Sequence, residues 1–132
     1  MRMKPALTID DALQVAAAAK AAGQKINRTP TIAVVDGGGH LLYLERPDNN
    51  GVNTADMATL KARTAALRGR PSSAFAARVQ EKVGFLMVPN CLGVEGGVPI
   101  LYEKYCIGGI GVSGIDYDDE PVAKAGAEAL GQ

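Results

Sequence analysis

Cysteine, histidine, net charge and long apolar runs are all scarce in this 132-residue chain, and each scarcity removes a class of protein. Cys91 and Cys106 are too few for a disulfide framework and do not form a CxxC pair, so they read as buried thiols in a reducing compartment. His40 is the only histidine. A zinc site of the usual kind would have to gather it with both cysteines from distant segments, so no metal is expected. Fourteen basic residues balance fourteen acidic ones. A zero net charge speaks against a dedicated nucleic-acid binder, which needs a basic excess to neutralise phosphates. It also does little to keep copies apart, which predicts a homo-oligomer. No segment approaches the roughly 20 apolar residues of a membrane helix. Met1, Arg2, Met3 and Lys4 resemble a signal-peptide start, but Asp10, Asp11 and Gln14 interrupt the apolar stretch that would have to follow. The expectation is no membrane association and a cytoplasmic location. No GxSxG elbow surrounds Ser113, and neither cysteine has a nearby base in sequence, so covalent nucleophilic catalysis finds no support.

What remains is 47 % hydrophobic, enough to bury a core over a single domain, residues 1–132. Thr8 reads as the N-cap of a helix with Asp10 and Asp11 in its first turn, alanine-rich from Ala12 to Ala22 and stopped by Gly23. Thr31 to Asp36 and His40 to Arg46 read as a β-hairpin around Gly37, Gly38 and Gly39. Asn53 or Thr54 caps a helix to about Leu67, with Leu60, Thr64 and Leu67 on one face. Pro71 opens a shorter helix to about Lys82. A loose stretch from Gly84 to Gly97 precedes strands at Val98 to Tyr102 and Tyr105 to Ser113. A last helix runs from about Asp119 to Leu130. The order α-ββ-αα-ββ-α, with strands paired without helical crossovers, predicts an α+β fold: an antiparallel sheet with helices against it.

Several motifs bear on chemistry. Gly109-x-Gly111-x-x-Gly114 is a literal GxGxxG string, but only 18 residues follow it and no further strand is visible among them. It therefore reads as a place where another backbone approaches the strand closely, not as a dinucleotide site. Asp116, Asp118, Asp119 and Glu120 lack the glycine an EF-hand needs at its sixth position, and read as acids at a helix N-terminus with Pro121 in the first turn. Gly96 and Gly97, after Glu95, could turn successive N–H groups into one concavity, an anion nest. Arg46, at the end of the strand that His40 begins, could hold a carboxylate bidentately.

Three segments together carry a resemblance. They are Val34–Leu41 with Arg46-Pro47-Asp48, then Lys61–Ala65, then Gly96–Ile100 leading into Ile107–Gly114. In this order and spacing the chain resembles the GlcG/HbpS-like family, also labelled haem-binding or PduO C-terminal-like, over essentially its whole length. The resemblance implies a profilin/roadblock-like fold with a sheet of about five antiparallel strands. It implies dimers assembling into larger rings such as octamers. It also implies a small-ligand-binding, sometimes haem-binding, accessory protein encoded among catabolic genes. Asp36 and Lys61 lie within the matching segments and join the candidate ligand-binding residues. His40 is the one histidine at a matching position. The first helix and the C-terminal segment, where the resemblance would put haem ligands, contain none. The expectation is therefore no cofactor, with haem held weakly or not at all.

Three functions are open, one of them a purely structural partner subunit. Another is a small-ligand-binding accessory protein that takes a small anionic molecule at Asp36, His40, Arg46, Lys61, Gly96 and Gly97. The third is a cofactor-free isomerase, tautomerase or hydrolase acting on a small carboxylate, with His40 or Glu95 as the base and Arg46 and the glycine N–H groups as the anion clamp. Six residues of strand separate His40 from Arg46 by roughly 20 Å. A single site holding both would need a bent strand or a subunit interface.

Overall fold

The computed structural model describes residues 1–130. Helix α1 spans Ile9–Lys25, strands β1 Thr31–Asp36 and β2 Leu41–Glu45, helices α2 Thr54–Arg68 and α3 Ser72–Glu81, strands β3 Gly97–Tyr102 and β4 Tyr105–Ser113, and helix α4 Asp119–Ala127. Short 3₁₀ segments occupy Val83–Met87, Asp116–Asp118 and Glu128–Leu130. The strands pair antiparallel in the order β2-β1-β4-β3. The α+β architecture is thus the expected one, with four strands rather than about five among the described residues. Among the same residues, no helix is long and apolar enough to cross a membrane.

Alternation along the strands sends two sets of side chains to two helical layers. Ile32, Val34, Ile110 and Val112 pack with Val15, Ala16 and Ala19 of α1 and Val122 and Ala123 of α4. On the opposite face, Ala33 and Val35 pack with Ala58, Ala62 and Ala66 of α2. The same pleat aims Gly109 and Gly111 at α2. A Cβ on Gly111 would overlap the carbonyl oxygen of Ala58, one on Gly109 that of Ala62, and one on Gly97 of β3 that of Lys61. The GxGxxG string therefore lets a helix backbone rest directly on the sheet. This also explains why Leu60 and Leu67 do not form the buried face of α2. Leu67 stands exposed, because the space over the glycines admits only alanine.

Other boundaries follow local chemistry. Thr8 and Asp11 make a reciprocal capping box at the start of α1. Gly23 does not stop that helix. It lies buried inside it, where a side chain would collide with Pro30, and the helix continues to Lys25. Gly69 ends α2 in the left-handed conformation, φ 67°, its N–H bonded to the Ala65 carbonyl. His40 and Arg46 fall just outside β2. Pro99 sits on an edge strand, where a missing N–H is tolerated.

The helix–glycine contact sets a sharp test. Gly111→Ala should cost about 3 kcal/mol or more, at or beyond the upper end of ordinary overpacking, because the obstacle is backbone. Gly84→Ala, where nothing lies within 4 Å of the added carbon, should be neutral or slightly stabilising. Urea titrations of both variants check this; equal midpoints would contradict the packing described.

Candidate functional site

The residues singled out in the sequence do not converge on one place within the chain. Asp36 closes the β1–β2 hairpin: its Oδ1 accepts from the N–H groups of Gly38 (2.9 Å) and His40 (3.0 Å). The turn is fastened to α2 by Arg63, whose Nε donates to the Gly39 carbonyl at 3.0 Å. His40 is exposed at this end of the sheet. Arg46 is exposed at the far end of β2 and donates to the carbonyl of Asn50 at 3.0 Å. Glu95, Gly96 and Gly97 adjoin the other edge, since Gly97 pairs with Gly111 while Ile32 joins Glu45 to Val112. Three strand spacings of about 4.8 Å separate those edges, roughly 14 Å. His40 and Glu95 therefore do not form a catalytic pair within one protomer.

The glycine turn is also not a free anion nest. The Gly97 N–H donates to Ser72 Oγ at 2.8 Å, and that hydroxyl donates to the Val94 carbonyl at 2.6 Å. Gly96, at φ 123°, is wrapped by the Val112 carbonyl, the Lys61 stem and Asp119. Its tight turn makes room for another interaction instead. Lys61, 2 % exposed, reaches from α2 past the end of the sheet. Its Nζ donates to Asp119 Oδ2 and to the Val112 carbonyl, both at 3.1 Å. Asp119 Oδ1 accepts from the Ile115 N–H at 3.0 Å. Burial pushes the Asp119 carboxyl above its ordinary range, against the opposing pull of Lys61 and of the Ile115 N–H. Lys61 is thus committed to a buried ion pair that ties α2 to the start of α4 on the other face of the sheet.

Two concavities stand out among the described residues. The smaller, about 180 Å³, is lined by Lys20, Gln24, Arg28, Thr29, Pro30, Glu45 and Pro47. Its charges are answered by the protein itself. Lys20 pairs with Glu45 at 2.8 Å and Arg28 with Asp118 at 2.9 Å. Lys20 first, and the Tyr43 hydroxyl second, hold the Glu45 carboxyl below its usual range, and burial with that contact pushes the Tyr43 phenol up to about 12.

The larger cavity, about 680 Å³, straddles the β3 edge. Val98, Pro99 and Leu101 form its floor; the Gly69-Arg70-Pro71 bend after α2 forms one wall, and Glu120, Lys124 and Ala127 of α4, with Glu128, form the other. Its volume suits a small molecule. Among the described residues, Arg70 makes no ion pair or side-chain hydrogen bond, and Lys124 has only a loose 3.9 Å contact to Glu128 at the rim. Oε1 of Glu120 is buried without a hydrogen-bond partner. No histidine, cysteine, methionine or tyrosine lines either cavity. Sequence reasoning missed this site because its parts lie far apart along the chain. The one local signal was Gly69-Arg70-Pro71, a helix stop carrying a cation.

The buried pair gives a prediction of its own. Lys61→Met should cost about 3–5 kcal/mol by leaving Asp119 buried and unanswered, and adding Asp119→Leu should recover part of that loss. Because the folded carboxyl of Asp119 titrates above the unfolded one, its contribution is present below the unfolded value of about 3.9 and is lost as pH rises through the folded value. Asp119→Asn should flatten that part of the stability–pH curve. An unchanged curve, or additive single and double variants, would contradict the coupling.

Comparison with known proteins agrees with this architecture. Residues 7–128 match the sequence profile of the family described as haem degrading protein HbpS-like. Protein GlcG of Escherichia coli is 38 % identical over 114 residues, 86 % of this chain and 85 % of that protein. The crystal structure of a doubly substituted Streptomyces reticuli HbpS superimposes with a TM-score of 0.92 at 34 % identity, covering all of this chain and 92 % of that one. A PduOC:heme complex, 22 % identical with a TM-score of 0.85 over 96 % of both chains, shares the fold.

Proposed function

The chain belongs to the HbpS-like family, and from that membership and the cavity at the β3 edge we propose that it is a small-ligand-binding accessory protein whose ligand is an amphipathic organic anion. The observation that carries this reading is the pairing of an apolar floor with a cation that the protein leaves unanswered. Val98, Pro99, Leu101 and Ala127 offer a surface for a hydrocarbon body. Arg70 presents a planar fork suited to a carboxylate. Its backbone is held between the left-handed Gly69 before it and the proline after it, and its side chain is exposed to solvent at the cavity wall.

The family name and the haem complex of PduOC raise haem as the ligand. The residues at the cavity do not fit it. Haem iron takes axial histidine, cysteine, methionine or tyrosine, and the lining supplies none. His40, the one histidine, is exposed on the hairpin turn and lines neither cavity. The reading is therefore of a family scaffold whose cavity serves a metal-free anion. It includes self-association as well, supported by Val83, Leu86 and Met87, which are 73 %, 61 % and 85 % exposed on one 3₁₀ segment.

The test is fluorescence titration with 8-anilinonaphthalene-1-sulfonate, an amphipathic anion. Saturable enhancement should weaken at least tenfold in Arg70→Ala with the fold intact by circular dichroism, the worth of one charged hydrogen bond of about 1.5–3 kcal/mol. Equal binding to the variant would remove Arg70 from the site. Hemin titration should give no sharp Soret band; a tight complex abolished by His40→Ala would overturn the metal-free reading. Light scattering should give a mass several times the 13.7 kDa of one chain, and a monomer at micromolar concentration would remove the oligomer.

A further inference from the structure

The anion reading accounts for Arg70 but leaves Glu120 unexplained. A carboxylate beside an apolar floor is a costly neighbour for an anionic ligand. The cost is greater because Oε1 of Glu120 is shut from solvent and accepts no hydrogen bond from the described residues. Asp119, one residue earlier, has both oxygens answered, Oδ2 by Lys61 and Oδ1 by the Ile115 N–H. Glu120 has no ion-pair partner among the described residues. Lys124, one turn further along α4, leans instead toward Glu128 at 3.9 Å, with both side chains largely exposed. Two charged residues without a partner among the described residues thus flank the cavity: Arg70, exposed to solvent on the α2 side, and Glu120 on the α4 side, whose Oε1 lies beneath the cavity surface.

We infer that the ligand carries a hydrogen-bond donor, an amino or hydroxyl group, at the end opposite its carboxylate, and that Glu120 selects it. This rests on the cavity reading above and adds a second point of recognition. A carboxylic acid with a plain hydrocarbon end would meet Glu120 as an unanswered charge. One with an ammonium or hydroxyl end would supply the missing donor. The terminal torsion of a glutamate is soft and two-fold, so either oxygen can turn to a donor in the cavity without moving the helix. Discrimination of this kind is large, because a site with a buried polar group penalises the analogue that leaves it unpaired.

Calorimetric titration with straight-chain ω-amino acids of four, six and eight carbons, each against its parent fatty acid, tests the inference. At the length that spans the cavity, the wild-type protein should prefer the amino compound roughly ten- to a hundredfold, the range of a charge-assisted hydrogen bond. In Glu120→Gln, which keeps an acceptor oxygen but loses the charge, the ratio should fall several-fold, with circular dichroism reporting the fold. If the fatty acids bind and no length shows a preference, the role of Glu120 is overturned while the cavity reading stands. A preference undiminished in Glu120→Gln also overturns it. If neither series binds the wild-type protein, both readings fall together.

Discussion

The contact on which the rest of the molecule depends is backbone against backbone: α2 lying on the glycines of β3 and β4. A sheet ordinarily keeps a helix at a distance set by side chains on both surfaces. Here Gly97, Gly109 and Gly111 have no side chains to offer, and Ala58 and Ala62 have only methyl groups. Dispersion contacts accumulate where atoms approach this closely, while the tolerance for any added atom falls to nothing. The arrangement is rigid for that reason, and it fixes the height of α2 over the sheet.

That height has consequences at two points along the helix. Near its middle, Lys61 is close enough to pass the end of the sheet and meet Asp119 at the start of α4, so one buried ion pair couples the two helical layers. Such a pair is weak evidence for added stability, since desolvation offsets much of the attraction, but breaking it is costly. It holds α4 in one place along the β3 edge. At the C-terminal end, Gly69 turns the chain so that Arg70 and Pro71 fold over the same edge. The cavity is the space left between these two fixed walls. Its shape thus follows from the glycine strand, though none of those glycines lines it.

Much of this was legible in the sequence, and the parts that were not share a cause. The capping box at Thr8, the hairpin around Gly37–Gly39 and the role of Gly109 and Gly111 as an approach surface follow from local rules that the structure obeys. Gly23 reads as a helix stop because a glycine that ends a helix and one that admits a neighbour, here Pro30, look alike in sequence. Lys61 reads in the sequence as a candidate ligand-binding residue with nothing to mark it as buried, because its partner Asp119 lies 58 residues away. Gly96 and Gly97 did form a special turn, but its donor was taken by Ser72 and its space by the Lys61 stem. Residue type suggested an anion site; only the fold shows that the protein's own groups fill it. The cavity was invisible for the converse reason, being assembled from three separate stretches that carry no shared motif.

The central claim is one of location: the ligand sits at the β3 edge, between Arg70 and α4, and not at the hairpin that carries the only histidine. Amide chemical-shift mapping in a ¹⁵N-labelled sample titrated with 6-aminohexanoate tests it most directly. The account predicts saturable shifts at Arg70, Val98, Leu101, Glu120 and Lys124, with the amides of Asp36 to His40 unmoved. Shifts confined to His40, Arg46 and the Glu95–Gly97 turn would contradict it.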